Sequence, residues 1–274
     1  MTWIPGGYND WFSISLDGPV FELKINQRAN KLYTNFNEAA DIAANLLYQQ
    51  WNDRPLYLAM SGGIDSEFVA NTLHRNNIPF TPVILKIENY NTTESWYAEY
   101  WCYQHNIQPV ILEYSMPMFF DAMVKFFSKL VKIKQDSQTP MMIVYDWISQ
   151  QNGTCIYGAG DINLRDGKFY CNPLDFISNI IYNDRHPTSF FMYTAELALS
   201  YISNFDINLS EQYNKLQFYN VLARPKIDYS TYLNTNFEYS EQLKKLWYVF
   251  KLKENFDLYH WYGTKEQIVQ SLQP

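Results

Sequence analysis

Between Met60 and Glu67 the chain reads Ser61-Gly62-Gly63-Ile64-Asp65-Ser66, two adjacent glycines, two hydroxyls and a carboxylate within six residues. Those types at that spacing suit an anion. Glycines let the backbone curl and bring its N–H groups close to a bound group, and a helix starting there adds the positive end of its dipole. The two serines supply hydroxyl donors. Asp65 repels a bare phosphate, so its presence argues for a cation between them, with Mg2+ expected. The bland reading of the same residues is a tight strand–helix turn with a Ser/Asp cap. Two familiar phosphate loops are excluded. No Gly-Lys-Ser or Gly-Lys-Thr follows a four-residue spacer, and Gly-Gly-Ile-Asp-Ser-Glu does not satisfy G-x-G-x-x-G.

The elements around the motif decide between the two readings. Leu56–Met60 reads as a buried strand and 67–77 as a helix with Val69, Thr72 and Leu73 inward, so the six residues occupy a strand–helix joint. "TPVILKI" is a second strand, 94–106 a second helix after a possible cap at Thr92 or Thr93, and "PVILEY" a third strand. Phe119, Met123, Phe126, Phe127 and Leu130 mark a third helix with Pro117 in its first turn. Thr139-Pro140 opens a fourth, Asn152-Gly153 closes it, and the strand "TCIYG" follows. Strands alternating with helices imply a parallel sheet covered on both faces, and ligands of such sheets sit at the carboxyl ends of the strands. All six motif residues lie at such an end.

Outside this core, "WFSISLDGPVFELKI" alternates around Asp17-Gly18 as a hairpin does, and 38–51 has helical spacing. "INLRDGKFYC" adds a second hairpin at Asp166-Gly167, and beyond Pro187 the patterns are helical with no clear strand. The expected fold is therefore α/β: a parallel doubly wound sheet over 52–186, preceded by a hairpin and helix over 1–51 and followed by a helical C-terminal lobe over 187–274.

Composition narrows the partners. With 21 Lys plus Arg against 28 Asp plus Glu, the formal charge is −7, which makes a nucleic-acid backbone an unlikely main partner. The three cysteines, Cys102, Cys155 and Cys171, form no C-x-x-C pair, so buried thiols in a reducing compartment are expected, not a zinc site or a disulfide framework. "MTWIPGGYND" lacks the basic start and apolar core of a signal peptide, and no apolar run approaches spanning length. The expectation is a cytoplasmic protein that does not enter membranes.

Ser61–Ser66 resembles the Ser-Gly-Gly-x-Asp-Ser signature of the ATP pyrophosphatase superfamily, the PP-loop or N-type family, whose members include asparagine synthetase, GMP synthetase, NAD synthetase and several tRNA-modifying enzymes. The resemblance implies an adenine nucleotide alpha hydrolase-like (HUP-type) fold that holds ATP and Mg2+. It also implies cleavage between the α- and β-phosphates and transfer of AMP to a substrate oxygen. A second stretch, "TPMMIVYDWISQQNGTCIYGAGD", is similar to the asparagine synthetase arrangement of a Pro-Met helix, a strand and a Gly-x-Gly acidic loop. On that likeness Gly158 and Gly160 would line the nucleotide and Asp161 would be a second metal ligand beside Asp65. The family's longer acidic tail is absent here. The likeness covers roughly 52–165.

By the same resemblance, Lys86 and Ile87 end the second strand where the family seats adenine against backbone groups, with Glu88 next to them. Arg224 and Lys226 fall where asparagine-synthetase-like enzymes bring a lysine to the α-phosphate; a charge pair closing a helix explains them equally well. The chain does not begin Met-Cys, so no N-terminal glutaminase is expected, and ammonia, a free amine or a separate partner would supply nitrogen. His74, His105, His186 and His260 have no ligand spacing. The aromatic run Trp96, Tyr97, Tyr100, Trp101 and Tyr103 suggests packing in preference to a base-stacking platform. The function expected is ATP-dependent adenylation of a small-molecule substrate, then C–N bond formation. A nucleobase- or tRNA-modifying enzyme of the same ATP chemistry is the second possibility, and a nucleotide-sensing module without turnover the third.

Overall fold

Three helices of this protein stop in the same way, and that regularity builds the sheet. In the computed structural model, Asn77, Asn106 and Asn152 follow helix ends with φ of 56°, 53° and 52°, the left-handed conformation that asparagine tolerates better than most residues. Each corner carries a bond from the next N–H back across the last turn: Ile78 to Leu73 at 3.0 Å, Ile107 to Cys102 at 3.0 Å and Gly153 to Ile148 at 3.1 Å. The chain thus leaves each helix at a fixed angle and enters a strand within a few residues.

The structure describes residues 3–15, 22–88, 91–129, 139–158, 162–165, 168–171, 189–219, 221 and 264–273. The strands are β1 (Trp3–Gly6), β2 (Phe12–Ser15), β3 (Glu22–Ile25), β4 (Leu56–Ala59), β5 (Thr81–Ile87), β6 (Val110–Tyr114), β7 (Thr154–Tyr157), β8 (Ile162–Arg165) and β9 (Lys168–Cys171). The helices are α1 (Phe36–Trp51), α2 (Ile64–Arg75), α3 (Thr92–Gln104), α4 (Met116–Lys129), α5 (Thr139–Gln150), α6 (Ala195–Asn204), α7 (Glu211–Tyr219) and α8 (Lys265–Leu272).

β4 to β7 form a parallel sheet in the order β6-β5-β4-β7. The chain builds outward from β4 and then returns to place β7 on β4's other side. β4 and β7 therefore flank the point where the winding reverses, and the crevice at their carboxyl ends is where such sheets hold ligands. Alternate strand residues serve opposite faces. Leu58, Ile84 and Ile156 join a core with α1, α2 and α3, while Val83, Leu85, Cys155 and Tyr157 face α4 and α5 through Met116, Phe119, Ile143 and Ile148. This is the α/β parallel arrangement that the alternating pattern predicts.

The hairpin expected around Asp17-Gly18 is present as β2 and β3, with its turn outside the described residues. β1 was not legible as a strand, yet it pairs antiparallel with β2 and makes this sheet three-stranded. Trp11 locks it onto the rest: its Nε1 donates to the Met192 carbonyl at 2.9 Å. The second expected hairpin is present as β8 and β9, paired antiparallel, with its turn at Asp166-Gly167 outside the described residues. From 189 onward the described residues hold helices and no strand, and among the described residues no helix is long and apolar enough to cross a membrane.

Aromatic rings fix α7 to the α2 side of the sheet. Tyr219 stacks on Phe68 of α2 at 4.4 Å between centroids, and on Phe191 and Phe36 at 5.5 and 5.9 Å. Asn214, fully buried, accepts from the Asp206 N–H at 2.7 Å and donates to the Asp206 and Ser210 carbonyls, which pins the turn before α7. Phe68→Ala should lower unfolding stability by about 3–5 kcal/mol, the usual range for a buried aromatic truncated to alanine, whereas Phe68→Leu should lose less than half of that. Urea unfolding followed by circular dichroism measures both. A loss under about 1 kcal/mol for the alanine variant would mean that the ring cluster does not hold the fold together.

Candidate functional site

β4 ends at Ala59, the Met60 N–H donates to the Val83 carbonyl at 2.9 Å, and the chain then leaves the sheet into the Ser61–Ser66 loop. Gly62 turns it with φ +87°. A Cβ at this position would lie 1.9 Å from the Glu94 carbonyl oxygen and 3.2 Å from the Ala98 nitrogen. The loop is therefore pressed against the first turns of α3, closer than any side chain permits. Gly63 differs: its φ of −70° and ψ of 159° are extended, it takes the N-cap position of α2, and an added Cβ would meet only Ser61 Oγ, at 3.4 Å.

The two serine hydroxyls form a ring with the backbone. The Gly63 N–H donates to Ser61 Oγ at 3.2 Å, Ser66 Oγ donates to the Gly63 carbonyl at 2.9 Å, and the two hydroxyl oxygens are 3.3 Å apart. Because the Ser66 proton is directed to Gly63, Ser61 is the donor in the Ser61–Ser66 contact. Ser66 is buried and Ser61 exposed. The hydroxyls expected to meet a ligand instead brace the turn, and Ser61 is the one within reach of solvent.

The winding reversal brings Gly158 to the same place. A Cβ on Gly158 would lie 2.9 Å from the Ser66 nitrogen and 3.0 Å from the Asp65 carbonyl carbon, so the end of β7 touches the start of α2. Gly160 and Asp161, expected beyond it, lie outside the described residues, as do Arg224 and Lys226.

Asp65 departs from expectation. Lys215 Nζ of α7 lies 3.1 Å from its Oδ2, and the Tyr219 hydroxyl donates to its Oδ1 at 2.8 Å. Lys215 is only 5% exposed, which makes it the charged side chain that the fold hides at this site. A divalent cation does not fit these residues as they stand: the one carboxylate of the loop already faces an ammonium and a hydroxyl. Among the described residues no group of three or more His, Cys, Asp or Glu side chains could hold a metal. Sequence reasoning missed both partners. The available signal was Lys215 and Tyr219 at i and i+4, on one face of a helix, with apolar Phe218 and Leu216 around them.

The remaining sequence-predicted residues spread out. Lys86 pairs with Glu99 of α3 at 2.9 Å, on the sheet face away from α5. The Ile87 N–H donates to Asn91 Oδ1 at 2.8 Å and Asn91 Nδ2 donates to the Leu85 carbonyl at 2.7 Å, so one carboxamide bridges the strand edge where adenine was expected. Asn91 occupies the N-cap position of α3 but makes no side-chain cap bond there. Glu88 is exposed. In the aromatic run Trp101 is buried as expected, but Trp96, Tyr100 and Tyr103 are 54%, 40% and 83% exposed, with Trp96 and Tyr100 stacked at 5.0 Å. Their positions along α3 turn them away from the sheet. Cys102 and Cys155 are buried; burial, then the nearby Glu99 charge, raises the Cys102 thiol to about 11, which leaves it without nucleophilic chemistry near neutral pH.

No family model and no curated protein matches the chain. Likeness to solved structures is low. One, the structure of NMN synthetase from Francisella tularensis, is 22% identical over 44% of this chain and 53% of that chain, with a TM-score of 0.35. The chain thus spans about half the length of that protein. Another, NH3-dependent NAD synthetase from Campylobacter jejuni subsp. jejuni NCTC 11168 in complex with the nitrate ion, is 15% identical over 80% of this chain and 93% of that chain, with a TM-score of 0.37. At those values the likeness carries no functional weight, which rests on the residues themselves.

The two loop glycines make a paired test. Gly62→Ala should destabilise the protein by more than about 2 kcal/mol, from the left-handed φ and the clash with backbone. Gly63→Ala should stay within about 1 kcal/mol, the difference between glycine and alanine at an N-cap. Thermal unfolding of both variants measures the gap, and equal losses would refute the close packing of loop on α3.

Proposed function

We propose that this protein binds ATP at the Ser61–Ser66 loop and transfers its AMP to a small-molecule substrate, releasing pyrophosphate. The observation that carries this reading is the Gly62-Gly63 turn at the end of β4, set against Gly158 at the reversal of the winding. The Ser-Gly-Gly-x-Asp-Ser pattern supports the same chemistry. A substrate oxygen attacks the α-phosphorus, the bond from that phosphorus to the α–β bridging oxygen breaks, and pyrophosphate leaves with the electron pair. If the oxygen belongs to a carboxylate, ammonia or an amine then attacks the acyl carbon. AMP departs, the nitrogen loses a proton, and an amide remains, the asparagine-synthetase-like outcome. The nitrogen comes from free ammonia, a free amine or a separate partner.

The chain's own contribution is positioning. The tight Gly62-Gly63 turn brings the backbone close to the triphosphate, α2 supplies the positive end of its dipole, and Ser61, the exposed hydroxyl of the loop, reaches a phosphate oxygen by turning away from Ser66. Lys226 and Arg224 are proposed to meet charge developing on the α-phosphate oxygens. Mg2+ is proposed as the accompanying cation; since Asp65 as it stands does not fit it, no step is assigned to the metal. A second reading, a nucleobase- or tRNA-modifying enzyme, has one observation in its favour, the exposed parallel stack of Trp96 and Tyr100.

Purified protein given Mg-ATP and fractionated small metabolites should release pyrophosphate in a substrate-dependent burst. Asp65→Asn should abolish that burst with circular dichroism unchanged. Lys226→Ala should slow it about 10²–10³-fold, the scale for losing one charge-stabilising donor, with ATP affinity changed much less. No burst with any small-molecule fraction, together with tight and steeply salt-dependent tRNA binding, would replace this reading with the second.

A further inference from the structure

β5 outruns its neighbour β4. Their ladder goes from Tyr57↔Thr81 to Ala59↔Val83 and closes with the Met60 N–H on the Val83 carbonyl, but β5 continues to Ile87. Alternate residues of a strand turn their N–H and C=O groups to opposite edges. Val83 faces β4, and the Glu88 N–H faces β6, donating to the Tyr114 carbonyl at 2.9 Å. The Leu85 carbonyl and the Ile87 N–H therefore point into the notch that β4 vacates when it turns into the Ser61–Ser66 loop. Asn91 fills that notch from the start of α3. Its Oδ1 accepts from the Ile87 N–H at 2.8 Å, and its Nδ2 donates to the Leu85 carbonyl at 2.7 Å. These bonds take the side chain from the usual task of an N-cap asparagine, for it makes no cap bond to α3.

Building on the ATP binding proposed above, we infer that the Asn91 carboxamide is an internal stand-in for the nucleotide's base. It occupies the donor–acceptor pair of β5, and adenine binds that pair only by displacing it. An acceptor and a donor joined through one carbon are common to a carboxamide and to the N1–C6–N6 edge of adenine. Either can satisfy the same N–H and C=O, but not both at once. The notch also lies close to the loop. Gly62 is pressed against the Glu94 carbonyl, and Asn91 precedes Glu94 by about one turn of α3. Phosphates at the loop and a base in the notch would thus border the same stretch of helix. Asn91 is half-buried, so its carboxamide can swing out without unpacking the core, and the N-terminus of α3 is the seat such a residue ordinarily takes. Asn91 then sets nucleotide affinity, because a base must break two strand bonds before it makes two of its own.

Isothermal titration calorimetry of the wild type, Asn91→Ala and Asn91→Ser, with ATP and separately with tripolyphosphate, tests this. Serine is too short to span the two strand groups and is a favoured N-cap, so Asn91→Ser keeps the start of α3 and covers the case in which Asn91→Ala fails to fold. Both variants should bind ATP about tenfold more tightly than the wild type, the scale of two net hydrogen bonds no longer broken on binding. Tripolyphosphate has no base, so its affinity should differ among the three by no more than about twofold. If Asn91 only ties β5 to α3, shortening it leaves ATP affinity unchanged or weaker, and that result overturns the stand-in. An equal gain for tripolyphosphate overturns it too, since the base would then play no part. ATP binding by none of the three overturns both this inference and the adenylation reading. Tighter ATP binding by Asn91→Ser with no pyrophosphate release from any of them would sink the adenylation alone.

Discussion

Absence of a Cβ at two positions is the constraint on which the site depends. Gly62 must pass under the Glu94 carbonyl and Gly158 must lie against the Ser66 nitrogen, at separations where a Cβ would sit 1.9 and 2.9 Å from backbone. Backbone cannot move aside as a side chain can. The starts of α2 and α3 and the end of β7 therefore converge only because both positions are glycine. The convergence also stiffens the loop before any ligand arrives. A turn braced by the Ser61–Ser66–Gly63 ring has already lost the conformational entropy that a floppy loop would lose on binding.

Packing and charge divide the work of holding α7. The ring cluster of Phe36, Phe68, Phe191 and Tyr219 supplies non-directional attachment that a sliding helix could partly keep. A buried ion pair adds little net stability, since desolvating both charges offsets most of their attraction. What it adds is register: only one rotation and one height of α7 put Lys215 and Tyr219 on the two oxygens of Asp65 at once. Removing Lys215 leaves Asp65 with the Tyr219 hydroxyl and with solvent, since its side chain is 26% exposed. The pair therefore orients α7 more than it stabilises it.

The parallel sheet was legible in the sequence because its signals are local. Asparagines at 77, 106 and 152 stop helices, apolar runs of strand length follow them, and period-2 burial sorts Val83, Ile84 and Leu85 onto their faces. The loop was legible for the same reason, its six residues being contiguous. β1 was not, since "WIPG" is short and carries a proline and a glycine, and only its pairing with β2 makes it a strand. The partners of Asp65 were invisible because they lie 150 and 154 residues away in sequence and meet it only through helix packing. Reasoning from sequence sought cations at breaks between helices, where a loop can reach over a site. Lys215 instead reaches it from inside a helix, and Asn91, one residue before the cap expected at Thr92 or Thr93, spans Leu85 and Ile87 with its carboxamide.

Lys215 also settles an electrostatic difficulty that the loop would otherwise have. A triphosphate bound at this loop, as proposed, would be a polyanion, and an uncompensated Asp65 would repel it at the distance where α2's dipole attracts it. With the ammonium 3.1 Å away, the carboxylate's field beyond the site is largely cancelled, and the positive end of α2 acts unopposed on an approaching anion. Cancellation matters more here than on the surface, because the overall charge of −7 already disfavours anions at long range.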